Sequence, residues 1–150
     1  MRVRRDLHGL TLLELIVALM LVAVLVGTAM FGYSRMRDEL RLNQAARQVM
    51  LDLAVTRTRA LADNVGWRLV FDCDRDNYQP QQQIGTVYQD DGVATALPAG
   101  IDLTECTASG SAVTFRPRGN AATFGTITLC NGAGRVRQVV VDIAGRIRVQ

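Results

Sequence analysis

Two sets of charged residues have the types and spacing to do chemistry. The first is a single carboxylate, Glu14, near the start of an apolar run that reaches Tyr33, behind a short leader containing Arg2, Arg4 and Arg5. An acid left unpaired in hydrocarbon costs about 2.5 to 3.5 kcal/mol on insertion scales, so such a residue is by default functional and needs a partner. Secretory signals are cut after their apolar region, at small residues. Here the small-residue site beside the leader, Gly9, lies before that region. Cutting there preserves the apolar segment and exposes a new amino group on Leu10, which supplies the missing partner for Glu14.

The second set is a pair of Gly-Arg-x-Arg tetrads, Gly134 to Arg137 and Gly145 to Arg148. Residues two apart share a strand face, so Arg146 and Arg148 point together while Ile147 and Val149 turn to the core. Arg135 and Arg137 are expected to do likewise beside them, and Arg116 and Arg118 extend the set. Four guanidiniums on one exposed face repel one another unless an anion sits there, and phosphate accepts bidentate arginine hydrogen bonds well. Such binding is indifferent to base sequence and weakens steeply with salt. No aromatic platform for base stacking accompanies it. The competing expectation is a solvated strand face, or arginines paired with acids such as Asp142 or with a neighbouring molecule.

Other chemistries are excluded by what is missing. The sole histidine, His8, is lost with the leader, which removes Ser-His-Asp, Cys-His and His-based zinc sites. There is no lysine for a phosphate-binding loop. Asp72, Asp74 and Asp76 begin a calcium-loop spacing, but Asn77 replaces the turn glycine and Gln83 the bidentate glutamate. Neither an enzyme nor a cofactor or metal is expected. The three cysteines, Cys73, Cys106 and Cys130, fall on the exported side, where disulfides form. Spacing leaves all three pairings open. Cys106 with Cys130 is favoured because both fall in expected sheet, leaving the third as a small apolar thiol.

The elements that position these groups follow from hydrophobic period. Leu15 to Tyr33 is charge-free, and about 20 residues suffice to cross a bilayer. The leader arginines place the C-terminal part outside the cytoplasm. Neither proline nor glycine then occurs before Gly66, and Leu42, Ala46, Val49, Met50, Leu53, Ala60 and Leu61 recur at helical spacing. Span and continuation read as one long helix ending near Asp63 and Asn64. From Trp67 the period becomes two, with strands expected at 67–71, 113–115, 124–130, 136–142 and 146–149, and a polar, loop-rich stretch from Pro80 to Pro98. The 150 residues leave room for one small domain of about 110 after the span. Residues 60–112 hold 2 arginines and 8 acids, whereas 113–150 hold 6 arginines and 1 acid, so the C-terminal strip is the basic face.

Gly9 before the cut and Glu14 fifth after it resemble the prepilin signature of type IV pilins and type II secretion pseudopilins. The resemblance implies a prepilin peptidase that cuts between Gly9 and Leu10 and methylates the new terminus, with Glu14 facing the terminal amine of a neighbour during assembly. Leu10 stands where the family usually has Phe. Phe31 stands where major pilins often have proline, which suggests a minor component. Thr56 to Leu61 before a Trp-led strand, Phe115-Arg116-Pro117-Arg118-Gly119, Thr126 to Cys130 and Gly145 to Arg148 resemble the GspH/FimT family of minor pilins and pseudopilins, over essentially the whole chain.

That resemblance implies an α+β fold, the type IV pilin fold: a long N-terminal helix, transmembrane in its first half, packed on a small antiparallel β domain of two sheets. The expected divisions are a leader at 1–9, a transmembrane and filament-core helix at 10–33, its amphipathic continuation at 34–64 and a periplasmic or extracellular β domain at 65–150. Implied partners are other major and minor pilins or pseudopilins, the prepilin peptidase and an inner-membrane assembly platform. The protein is expected in the inner membrane with its C-terminal domain in the periplasm, then in a pilus or pseudopilus at or near the tip. In the FimT-like branch the terminal Gly-Arg-x-Arg is associated with binding double-stranded DNA in natural transformation, a role that carries over to Arg146 and Arg148. Arg135 and Arg137 join them by alternation alone. A GspH-like pseudopilin of type II secretion without a DNA role is the alternative.

Overall fold

The computed structural model describes residues 11–106 and 111–150, apart from the side chains of 29–35 and 106. The chain forms two compact units, Met1–Met36 and Arg37–Gln150. Helix α1 spans Leu12–Asp63. In the first unit its described side chains are exposed and mostly apolar, from Leu12 at 77% to Val26. Among the described residues no helix is long and apolar enough to cross a membrane.

In the second unit α1 packs on antiparallel sheet, which is the expected fold. Leu42, Ala45, Ala46, Val49, Leu53 and Ala60 form its buried stripe. Thr56 fills the gap in that stripe, its hydroxyl donating to the Asp52 carbonyl at 2.7 Å, so a polar residue is buried with its hydrogen bond made. The helix stops where Asn64 takes φ 54°, a left-handed terminator that asparagine tolerates. Leu61, counted by period as core, lies at the rim, 49% exposed.

The strands are β1 (Trp67–Asp72), β2 (Asn77–Ile84), β3 (Val87–Asp90), β4 (Thr95–Ala96), β5 (Ile101–Cys106), β6 (Ala112–Phe115), β7 (Ala121–Thr123), β8 (Gly125–Asn131), β9 (Val136–Val141) and β10 (Ile147–Val149). Among the described residues they form two sheets, ordered β3-β2-β1-β6-β7 with β4 beside β2, and β10-β9-β8-β5. One core joins the helix stripe to Trp67, Leu69, Phe71, Tyr78, Val113 and Phe115 of the first sheet and Leu103, Ile127, Leu129, Val139 and Val141 of the second. Among the described residues Tyr78 is the largest fully buried side chain in it. Burial, then the hydrogen bond its hydroxyl donates to Asp52, raises its pKa well above the ordinary phenol value.

The stretch from Pro80 to Pro98, expected as loop, carries the end of β2 and all of β3 and β4. Glutamine-rich sequence lacks the apolar alternation by which strands are recognised, yet here backbone pairing holds it. Pro80 sits between the part of β2 paired with β4, at Asn77 and Tyr78, and the part paired with β3, from Gln81 to Ile84. A residue without an N–H is tolerated at such a gap.

Candidate functional site

Each unit carries one candidate site. In the first, Thr11 immediately precedes α1 and its hydroxyl accepts the backbone N–H of Glu14 at 3.3 Å. The pair Thr11-x-x-Glu14 has the order of a capping box, a signal readable in the sequence that the search for an intramembrane acid passes over. Glu14 is the acid of the first turn, where the positive end of the helix dipole favours a carboxylate. Among the described residues no cation lies within ion-pair distance of it. Gly9 and Leu10 lie outside the described residues.

In the second unit the two tetrads separate. Strands β9 and β10 pair Val139 with Val149, Val140 with Arg148 and Val141 with Ile147, so odd-numbered residues share one face and even-numbered residues the other. Val139 and Val141 are buried against the core. Arg137 therefore belongs to the core face and Arg148 to the opposite one, which corrects the expectation of four guanidiniums on a common face. The Arg137 guanidinium donates to Asn43 on α1 at 2.8 Å, and that of Arg135 donates to Glu39 at 2.6 Å, with Arg137 and Glu39 also 3.9 Å apart. The first tetrad ties the β8–β9 hairpin to the helix and is spent on doing so.

The second tetrad stays outward. Asp142 and Arg146 close the β9–β10 turn: the Arg146 backbone N–H donates to Asp142 at 2.9 Å and its Nε to the other carboxylate oxygen at 2.7 Å. That backbone donation, with the guanidinium beside it, holds the Asp142 carboxyl below the usual range. The pair is present at neutral pH. Arg148 is exposed, as are Arg116 and Arg118 in the loop after β6, and among the described residues no guanidinium of the three has an acidic or hydrogen-bonding partner. Around them, residues 113–150 contain Asp142 as their one acid.

The two arginine loops touch. The Ala121 N–H donates to the Ile143 carbonyl at 3.2 Å. Gly119, at φ 78°, lies so close to Gly145, at φ 77°, that a methyl group on Gly145 would collide with the Gly119 carbonyl oxygen. That same oxygen accepts the Nε of Arg57, on α1, at 2.8 Å. Arg57 is a site residue that sequence reasoning missed. The glycines of the two quoted motifs were its only signal, since a glycine between arginines marks a turn or a close backbone approach.

The expected Cys106–Cys130 disulfide is not made: Cys130 is a free thiol, and Cys73 is disulfide-bonded. The register explains it. Cys106 lies opposite Ile127 on β8, and Cys130 is three residues further on, about 10 Å along a strand, where a disulfide tolerates about 4.4 to 6.8 Å between Cα atoms. The side chain of Cys106 lies outside the described residues. The acids of the calcium-like spacing serve the backbone instead, Asp72 accepting the N–H groups of Asp74 and Arg75 and Asp76 that of Leu103.

Comparison with known proteins agrees with this geometry. A family model described as type II transport protein GspH matches residues 45–145, and the prokaryotic N-terminal methylation motif matches residues 4–30. The chain is 30% identical to the pilin-like protein PilA1 of Thermus thermophilus over 157 residues, covering 95% of this chain and 98% of that one. Its fold is similar to that of the minor pseudopilin EpsH from the type 2 secretion system of Vibrio cholerae, with a TM-score of 0.61 and 14% identity over 73% of this chain and 96% of the other. It is also similar to the type IV minor pilin FimU of Pseudomonas aeruginosa, with a TM-score of 0.62 and 17% identity over 77% and 92%.

Proposed function

Because the chain belongs to the GspH family and is a minor pilin or pseudopilin of a type IV pilus or type II secretion system, we propose that it assembles through the first part of α1, with Glu14 setting the register. The observation that carries this is an exposed apolar helical run from Leu12, headed by a carboxylate without a cation partner among the described residues. A prepilin peptidase cuts after Gly9 and methylates Leu10, and the new amine of one subunit meets Glu14 of the next. The described residues, among which no helix is long and apolar enough to cross a membrane, leave out the side chains of residues 29–33; with them, the charge-free segment from Leu15 to Tyr33 is the inner-membrane anchor of this proposal, with residues 65–150 in the periplasm. The assembly platform and other pilins or pseudopilins are its partners. Glu14→Ala is expected to leave the protein inserted and cleaved but to cut its incorporation into filaments severely, as measured in sheared filament fractions. Normal incorporation would refute the role given to that carboxylate.

The favoured host is a type IV pilus, where the protein also contacts double-stranded DNA through Arg146 and Arg148. The unpaired state of Arg148, beside a strip with one acid, supports this over a type II secretion pseudopilin without a DNA role. The full chain in nonionic detergent is expected to retard a DNA duplex in a gel at low salt, and Arg146→Ala with Arg148→Ala to abolish the shift. A wild-type chain that leaves the duplex unshifted removes the DNA role and favours the pseudopilin.

A further inference from the structure

Resting on that DNA reading, we propose that the phosphate-binding surface is a composite of two loops, with Arg116 and Arg118 contributing alongside Arg146 and Arg148, and that Arg57 is the positioning residue that fixes one loop against the other. The partner is the continuous phosphate backbone of a duplex, a ligand that rewards several guanidiniums held at fixed separation rather than one deep pocket.

Three observations lead there. Arg116, Arg118 and Arg148 are exposed and unpaired among the described residues, whereas Arg135, Arg137 and Arg59 are each committed to a side chain on another element. The loops bearing Arg116 and Arg118 on one side and Arg146 on the other meet backbone to backbone, through Ala121 to Ile143 and through Gly145, where a side chain would strike the Gly119 carbonyl oxygen. Arg57 grips that junction from α1, through the Gly119 carbonyl that a Gly145 side chain would strike. Gly119 also closes its own loop, donating to the Arg116 carbonyl at 2.8 Å, while Arg116 donates to Asn120 at 2.9 Å. A guanidinium that holds the Gly119 carbonyl thus holds the loop carrying Arg116 and Arg118 where it meets the turn carrying Arg146.

The test separates positioning from charge. Glutamine places its amide nitrogen at the same point along the side chain as arginine Nε, so Arg57→Gln keeps the donor to Gly119 and drops the charge. Arg57→Met drops both. With the full chain in nonionic detergent and a short mixed-sequence DNA duplex, affinity is measured against salt concentration, and folding is checked by thermal melting. Each neutralised phosphate adds about 0.9 to the magnitude of the log–log slope. Arg116→Ala with Arg118→Ala is expected to lower that magnitude by about 2 with an unchanged melt. Arg57→Gln is expected to keep the wild-type slope and Arg57→Met to lose about as much as the double variant. A wild-type slope for Arg116→Ala with Arg118→Ala overturns the composite surface while leaving Arg146 and Arg148 in place. Equal losses for glutamine and methionine overturn positioning by showing that Arg57 is itself a phosphate contact. A wild-type chain that fails to bind at low salt defeats the DNA reading itself.

Discussion

Gly145→Ala is expected to destabilise the second unit by about 3 kcal/mol and to lower its melting temperature by roughly 10 °C. Two costs combine. At φ 77° an alanine sits in the left-handed region, which costs an L-residue about 1 to 2 kcal/mol. Its methyl group also meets the Gly119 carbonyl oxygen, which is backbone and cannot swing aside. Overpacking of this kind costs about 1 to 3 kcal/mol. If the loop retreats, the 2.8 Å bond from Arg57 and the 3.2 Å bond from Ala121 to Ile143 lengthen with it. Gly132→Ala is the control, because Gly132 has neither a positive φ nor a neighbour within 4 Å, and a surface change of that kind stays within about 0.5 kcal/mol. Equal melts for the two variants would show that the glycine loops do not pack as described.

Phe115→Ala is expected to cost about 4 kcal/mol, the range for emptying a buried aromatic site. Phe115 is 0% exposed and stands opposite Trp67, in the strand pair β1–β6 at the interior of the first sheet. Its neighbours, Trp67 and Val113 among them, are buried in the same cluster and leave little room for collapse into the void. Against a typical total of about 5 to 15 kcal/mol, that loss removes a large share of the stability. The midpoint of urea denaturation reads it directly, with Phe124→Ala, at a side chain 53% exposed, as the comparison. A Phe115 variant with the midpoint of the Phe124 variant would place Phe115 outside the core.

Where the sequence alone told enough, one local rule acted without opposition. The helical repeat of Leu42, Ala46, Val49 and Leu53 gave the buried stripe, and Asn64 ended the helix as the composition around Gly66 suggests. The alternation Trp67, Leu69, Phe71 gave β1. Inference failed where the answer lay in register. Alternation says which residues of one strand share a face but not which face the next strand matches to it, and the length of the 142–146 turn sets Arg137 and Arg148 on opposite sides. The same ignorance of register misplaced Cys130, three residues past the point opposite Cys106. Glutamines 81 to 83 concealed a strand because their side chains announce no buried face. Arg57 was hidden among helix arginines because its importance comes from a carbonyl 62 residues away in sequence.

On the proposed DNA contact, the closed loop of Asp142 and Arg146 shapes how the surface exchanges ions. A phosphate would meet an Arg146 whose Nε the Asp142 carboxylate already holds at 2.7 Å, leaving the two terminal nitrogens to receive it. The carboxylate stays beside the contact and offsets part of the guanidinium's charge, so Arg146 would add less to the salt dependence than an arginine without an acid. On that reading, sensitivity to ionic strength rests chiefly on Arg116, Arg118 and Arg148, whose side chains have no acidic partner among the described residues.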